Sequence, residues 1–232
     1  MRLDQIKQAI GIEPYFEDES GVLYNADCLD IMKKMPGKCV DLVLTDPPYG
    51  VKMDKGFSGS DGFSGSGKPI ERRRYEDDNW DSKTPQRAVF DNILSRSSLA
   101  LIFGGNFFTD KLPVGTHWIF WDKLNTMPTF GDGELVWTNS KRKSIKKFTR
   151  EYNGLIGKEE TRKHPTQKPV NLIRELIREY SKEGVVFDPF LGSGTTAVAC
   201  KELNRKWIGI EINEEYCEIA KKRIFNTQKS LF

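Results

Sequence analysis

The chain has 232 residues, a formal net charge of only +3 and 30% charged residues. That length suits one α/β domain with a sizeable core, and the near-balanced charge excludes a basic surface over the whole chain, so any nucleic-acid contact has to come from local patches. Four cysteines without Cys-x-x-Cys spacing and two histidines speak against a structural zinc site, so no metal is expected. No signal peptide or long apolar run is visible, so no membrane association and reduced thiols in a cytoplasmic protein are expected.

The first 20 residues are polar, with one helical candidate at Leu3–Ile10. Gly21–Asn25 reads as a strand and Cys28–Met35 as the helix after it. Cys39–Thr45 is an apolar strand that runs into Asp46-Pro47-Pro48-Tyr49. Pro48 biases Pro47 toward an extended backbone, and neither proline has an N–H. The Asp46 carboxylate, an acceptor only when ionised, and the Pro47 carbonyl can therefore take the two hydrogens of an exocyclic amine. Tyr49 can lie against the attached ring. The plainer reading is a proline turn whose aspartate caps a neighbour. The amine of a nucleobase is a poor nucleophile because its lone pair is delocalised. Two acceptors aimed at its hydrogens localise that pair, and their help grows as charge develops on nitrogen.

Residues 55–67 form a Gly/Ser tract, expected to be a flexible loop that orders on a ligand or a plain surface insertion. Arg72, Arg73 and Arg74 precede Tyr75; they either track phosphates or form a solvated charge run. A helix is expected over Pro85–Ser95, then a buried strand over Ser98–Phe103 ending at Gly104-Gly105-Asn106, then strands over Thr116–Trp121 and Glu134–Thr138. The aromatics of the Thr116–Trp121 strand read as core. Lys141, Arg142, Lys143, Lys146, Lys147 and Arg150 belong to the densest basic stretch, with Phe148 among them, which suits phosphate binding.

Val185–Asp188 is an apolar run followed by Pro189-Phe190-Leu191-Gly192-Ser193-Gly194-Thr195-Thr196 and a helix at Ala197–Leu203. This strand–loop–helix unit opens a Rossmann-like nucleotide site, with glycines that let backbone approach a ligand. The next strand, Lys206–Glu211, ends in an acid about twenty residues after the loop, the place where a carboxylate takes a ribose diol. Glu211 is otherwise the N-cap of a helix over Glu214–Asn226. Acids at both strand ends fit a ligand with a ribose and a cationic methionyl part, as in S-adenosylmethionine.

Taken together, Asp46–Tyr49 and Phe190–Gly194 resemble the two signatures of the amino-methylating DNA methyltransferases, which modify adenine N6 or cytosine N4. The catalytic motif precedes the cofactor loop, and His164–Pro169 lies just upstream of that loop, an order similar to the beta group of the family. The resemblance spans roughly Gly21 to Arg223. It implies a doubly wound, mostly parallel seven-stranded α/β sheet with one antiparallel strand, S-adenosylmethionine as cofactor, and double-stranded DNA as partner with the target base flipped out. By residue, it implies catalysis by Asp46, Pro47, Pro48 and Tyr49. Asp27, Asp46, Thr166, Lys168, Asp188, Phe190, Gly192, Ser193, Gly194, Thr195, Thr196, Glu211 and Ile212 would surround the cofactor, with Lys168 on its carboxylate. Residues 126–163 would be a short target-recognition insert in a single domain, with the basic stretch Lys141–Arg150 as the main DNA-contacting segment, and the brevity of the insert suggests a homodimer or an added protein. A bacterial or phage-borne cytoplasmic enzyme is implied. Asp in the first motif position goes mostly with adenine in this family, so adenine N6 is the expected target. Cytosine N4, a protein glutamine amide, and a non-catalytic DNA-binding module remain as alternatives.

Overall fold

A computed structural model describes residues 1–50, 83–124, 131–151 and 167–228. The strands in chain order are β1 (Phe16–Glu17), β2 (Gly21–Asn25), β3 (Val40–Thr45), β4 (Ser97–Phe103), β5 (His117–Asp122), β6 (Gly133–Thr138), β7 (Ile145–Thr149), β8 (Val185–Asp188) and β9 (Lys206–Glu211). The helices are α1 (Leu3–Ile10), α2 (Cys28–Met32), α3 (Arg87–Arg96), α4 (Val170–Tyr180), α5 (Thr195–Glu202) and α6 (Glu214–Asn226).

All strands join one sheet in the order β1-β2-β9-β8-β3-β4-β6-β5-β7. The expected α/β architecture is present, but the described sheet has nine strands rather than seven. Only β1 and β6 run against the rest. The two strands beyond expectation are both at edges. β1 is a two-residue antiparallel contact, Phe16 opposite Leu23 and Glu17 opposite Val22. β7 reads Ile-Lys-Lys-Phe-Thr and pairs in parallel with β5, Trp118 opposite Ile145 through Asp122 opposite Thr149. Its lysines conceal it in the sequence, yet lysine is what blunts an exposed sheet edge against pairing with other chains.

The side-chain alternation of the strands divides the core between the two faces of the sheet. Val22, Tyr24 and Val43 pack with Ile6 and Ile10 of α1, Ile31 and Met32 of α2, and Val89, Phe90 and Ile93 of α3. Leu23, Leu42 and Leu44 pack on the other side with Leu172, Ile173, Leu176 and Ile177 of α4, Ala197–Cys200 of α5, and Cys217, Ala220 and Ile224 of α6. Three helices thus cover each face. α4 was not anticipated above, although its four buried aliphatics recur at helical spacing. α2 ends three residues earlier than expected, at Met32. Pro36 disfavours a helical backbone at Met35, and turns take over.

β3 and β8 are neighbours, and the chain leaves them in opposite directions: β3 leads to β4 through α3, β8 to β9 through α5. A crevice therefore opens where the carboxyl ends of β3 and β8 diverge, the usual ligand site of such sheets. No helix among the described residues is long and apolar enough to cross a membrane.

Candidate active site

A cavity of about 260 Å³ fills that crevice. Asp46 and Pro48 line it at one end, and Glu211, Ile212, Asn213 and Tyr216 at the other, with Asp188 and the Phe190–Ser193 loop between them. The two sequence motifs, far apart in the chain, thereby line one site.

Asp188 joins them. Its carboxylate accepts hydrogen bonds from Thr45 Oγ1 and Thr196 Oγ1, each at 2.7 Å, and from the Phe190 N–H at 3.1 Å. It thus ties the end of β3 to the start of α5. Burial pushes its pKa up to about 6, against the lowering effect of these donors. The folded state therefore holds the proton more tightly than the unfolded chain. This stabilising contribution is complete below the ordinary aspartate value and is lost as the pH rises through about 6. A shift of ~2 pH units corresponds to about 3 kcal/mol. Asp188→Asn carries no such proton, so its Tm relative to the unsubstituted protein should rise by roughly 5 °C between pH 4 and pH 8. Thermal melts across that range check this; a Tm difference that does not change with pH would refute it.

The loop after β8 depends on glycine at two positions. Gly192 has φ +55°, and a Cβ built there meets nothing within 4 Å, so the backbone faces open space. Gly194 has φ +88°, and a Cβ there would lie 2.9 Å from Ala220 Cβ, so this glycine lets α5 start tight against α6. Arg223 of α6, buried and not anticipated from the sequence, braces the loop from behind. Its Nη1 donates to Ser193 O at 2.7 Å, Ser193 Oγ at 3.0 Å and Thr195 Oγ1 at 3.2 Å. An arginine within an amphipathic helix carries no sequence signal for this role.

At the far end, Glu211 is not the N-cap of α6. Asn213 holds that position, accepting from the Glu215 and Tyr216 N–H groups. Glu211 instead accepts from Gly192 N–H and Asn213 N–H, both at 2.8 Å. Burial raises its pKa against these backbone donors. Ile212 is 71% exposed beside it, at the cavity rim. Asp27 caps α2 through the Leu29 N–H at 2.7 Å and is outside the cavity lining. The chain nevertheless brings it close to the Glu211 end, because the Ala26 N–H donates to Glu211 O.

At the near end, Tyr49 Oη donates to Asp46 Oδ1 at 2.5 Å, and Lys168 Nζ donates to Asp46 Oδ2 at 2.5 Å. The Lys168 ammonium also lies 3.3 Å from Glu134 Oε2. Burial works against this ammonium, but the Asp46 and Glu134 carboxylates outweigh it and hold its pKa above that of an ordinary lysine. For Asp46 burial is the largest influence and raises its pKa, with Lys168 opposing. Gln167 Oε1 accepts from Ser193 Oγ at 3.3 Å and so connects the Lys168 segment to the loop. Thr166 lies outside the described residues.

The Tyr49 ring is packed on two sides. Phe107, in the 3₁₀ turn Gly105–Phe107 after β4, stacks on it with centroids 4.9 Å apart and planes 16° from parallel. Phe108 meets it edge-on at 6.1 Å. Neither phenylalanine was anticipated as part of the site.

The basic stretch lies elsewhere, on β7 and its approaches. Arg142 pairs with Glu179 at 2.8 Å, Lys146 with the same carboxylate at 3.7 Å, Lys147 with Asp122 at 3.2 Å, and Arg150 with Glu175. Four of the six cations thus dock the edge strand on α4 and β5, while Lys141 and Lys143 are exposed and make no ion pair among the described residues. The described part of the 126–163 region forms β6 and β7 of the sheet itself. Arg72, Arg73, Arg74 and the 55–67 tract lie outside the described residues.

An open α/β sheet with a Gly-rich loop, an acid on the following strand and an Asp-Pro-Pro-Tyr turn on the neighbouring one defines an S-adenosylmethionine-type methyltransferase fold. The DNA methylase family model for N6 and N4 methylation matches residues 69–222, and the chain belongs to that family, whose methyl donor is S-adenosylmethionine. Among its relatives are the Type II methyltransferases M2.LlaDCHI of Lactococcus lactis subsp. cremoris, 29% identical, and M2.DpnII of Streptococcus pneumoniae, 28% identical; each alignment covers 91% of this chain and 92% of the relative. Among solved structures, the M1.HpyAVI–SAM complex is 27% identical with a TM-score of 0.56, covering 87% of this chain and 98% of that one. The cytosine-N4-specific PvuII DNA methyltransferase shares the fold at a TM-score of 0.58 and 16% identity, covering 95% of this chain and 98% of that one.

Proposed function

We propose that the chain methylates adenine N6 in double-stranded DNA, with Asp46 and Tyr49 as the residues that handle the base. The observation that carries this reading is Asp46 at the mouth of a cavity whose other end is Glu211. The cavity suits S-adenosylmethionine: Gly192 leaves room for close approach, and the buried Glu211 carboxylate suits a ribose diol. When bound, that cofactor supplies an electrophilic methyl group on a sulfonium.

The chain's own residues do the rest. Asp46 and the Pro47 carbonyl accept the two hydrogens of the target amine and localise its lone pair. Tyr49, backed by Phe107, offers a ring for the base to stack on. Neither group reaches an amine inside a duplex, so the base is flipped out. Asp46 stays an acceptor as positive charge develops on nitrogen, and this preorganised charge lowers the barrier. Lys141 and Lys143, exposed on the approach to β7, are proposed phosphate contacts, along with Arg72, Arg73 and Arg74. The choice of adenine rests on aspartate in the first motif position.

The test is to incubate the purified protein with S-adenosylmethionine and bacterial DNA free of modified bases, digest to nucleosides and measure them by mass spectrometry. N6-methyldeoxyadenosine is the expected product. N4-methyldeoxycytidine would move the target atom to cytosine. Neither product, with cofactor binding demonstrated separately, would overturn DNA as the substrate.

A further inference from the structure

Glu134, at the start of β6, has no role in the reading above. Yet its carboxylate lies between two ammonium groups. Oε1 accepts from Lys123 Nζ at 2.6 Å, and Oε2 lies 3.3 Å from Lys168 Nζ. Oε2 is buried and makes no hydrogen bond of good geometry. Its partner is the ammonium that also covers Asp46. Lys168 is therefore shared, tightly with Asp46 at 2.5 Å and loosely with Glu134.

That sharing bears on a competition at Asp46. Both of its oxygens are engaged, Oδ1 by Tyr49 and Oδ2 by Lys168. A target amine must share one of them, and the ammonium at 2.5 Å draws off the negative charge that Oδ2 would offer it. Moving Lys168 away altogether would strand a cation in a largely buried place, where its side chain is 9% exposed. A second carboxylate within a short shift removes that cost.

We propose that Glu134 is a positioning residue for Asp46: it takes the Lys168 ammonium and so opens Asp46 Oδ2 to the amine of the target base. This rests on the reading of Asp46 given above. Lys123 sets the balance from behind, because it holds the other Glu134 oxygen. The charged and titratable groups facing Asp46 are Lys168, Glu134, Tyr49 and Asp188, with Lys123 one step further out. The direction of each change follows from this set. Without Glu134, Asp46 loses a like charge and gains all of Lys168, so it holds its proton less tightly. Without Lys123, Glu134 draws Lys168 more strongly and Asp46 holds its proton more tightly.

The experiment is a ¹³C NMR titration of protein labelled at the aspartate carboxyl carbons, with the Asp46 signal assigned by its loss in Asp46→Asn. Glu134→Gln should lower the Asp46 titration midpoint by roughly one pH unit, and Lys123→Met should raise it. Because Lys168 then stays on Asp46, kcat of Glu134→Gln should fall by about tenfold at pH 8, with the cofactor Kd unchanged. An unchanged Asp46 titration in both variants overturns the proposal, whatever happens to kcat or Tm. If Glu134→Gln does not fold, the upward shift in Lys123→Met decides alone. Absence of a methylated nucleoside from the unsubstituted protein would overturn the DNA reading separately, since the titration needs no turnover.

Discussion

Alanine at position 46 is expected to lower kcat by at least ~10³-fold while the Kd for S-adenosylmethionine stays within a few-fold. Asp46 is the charged acceptor at the near end of the cavity, and Glu211, at the other end, makes none of its hydrogen bonds to it. The truncation removes the acceptor that matters most when charge develops on the amine. It also leaves Lys168 with Glu134 as its one carboxylate partner among the described residues, so the ammonium can settle on an anion bound in the cavity. Cofactor affinity therefore has no reason to weaken. Asp46→Asn keeps one acceptor oxygen without the charge and should fall between the two. Isothermal titration and single-turnover kinetics separate binding from chemistry. Turnover within tenfold of the unsubstituted enzyme would show that the reacting amine is held elsewhere.

The second large effect is expected at a residue that touches no substrate. Gly104 follows β4 with φ +64°, and a Cβ built on it would lie 2.3 Å from Tyr49 Cε1 and 2.6 Å from Cζ. The Tyr49 ring lies directly against this backbone. Gly104→Ala must therefore push the ring by on the order of 1 Å, and displacements of that size cost ~10²-fold in rate. The left-handed backbone adds about 1 kcal/mol of strain for alanine. The ring has little freedom to comply, because Phe107 stacks on it and its hydroxyl is tied to Asp46. A double-mutant cycle isolates the cause. In a Tyr49→Ala background the Gly104→Ala change should cost little further activity, since the clash has lost its partner. Equal costs in both backgrounds would place the effect in the backbone alone.

The parts of the site legible in the sequence were those with local chemistry. Asp46–Tyr49 and Phe190–Thr196 each carry a whole motif within a few residues, and the apolar runs before them define β3 and β8. What was not legible depends on partners distant in the chain. Glu134 is a single acid in a short strand, and only the fold brings it to Lys168. Phe107 gains meaning only from the ring it stacks on, and Gly104 only from the ring pressed on it. Charge density alone did not reveal that β7 is a strand. A lysine-rich run has no apolar alternation to mark a strand, and the ion pairs of Arg142, Lys147 and Arg150 with acids of α4 and β5 appear only in the fold. The extra strands come from the same source: edges need little apolar signal, because one flank has no neighbour to satisfy.

The position of β2 has a consequence for how the chain is made. β2 joins the main sheet only through β9, and Asn25 and Glu211, which face each other there, are 186 residues apart. At a ribosomal pace of ~5–20 residues per second, the two strands emerge roughly 10–40 s apart. Throughout that interval β2 has no neighbour linking it to the main sheet, and the cavity lacks the wall that Glu211 and Ile212 supply. The nascent protein therefore cannot assemble a working pocket step by step. The Asp46 turn leaves the ribosome long before β9, the last of the described strands, and lacks that wall until β9 is released.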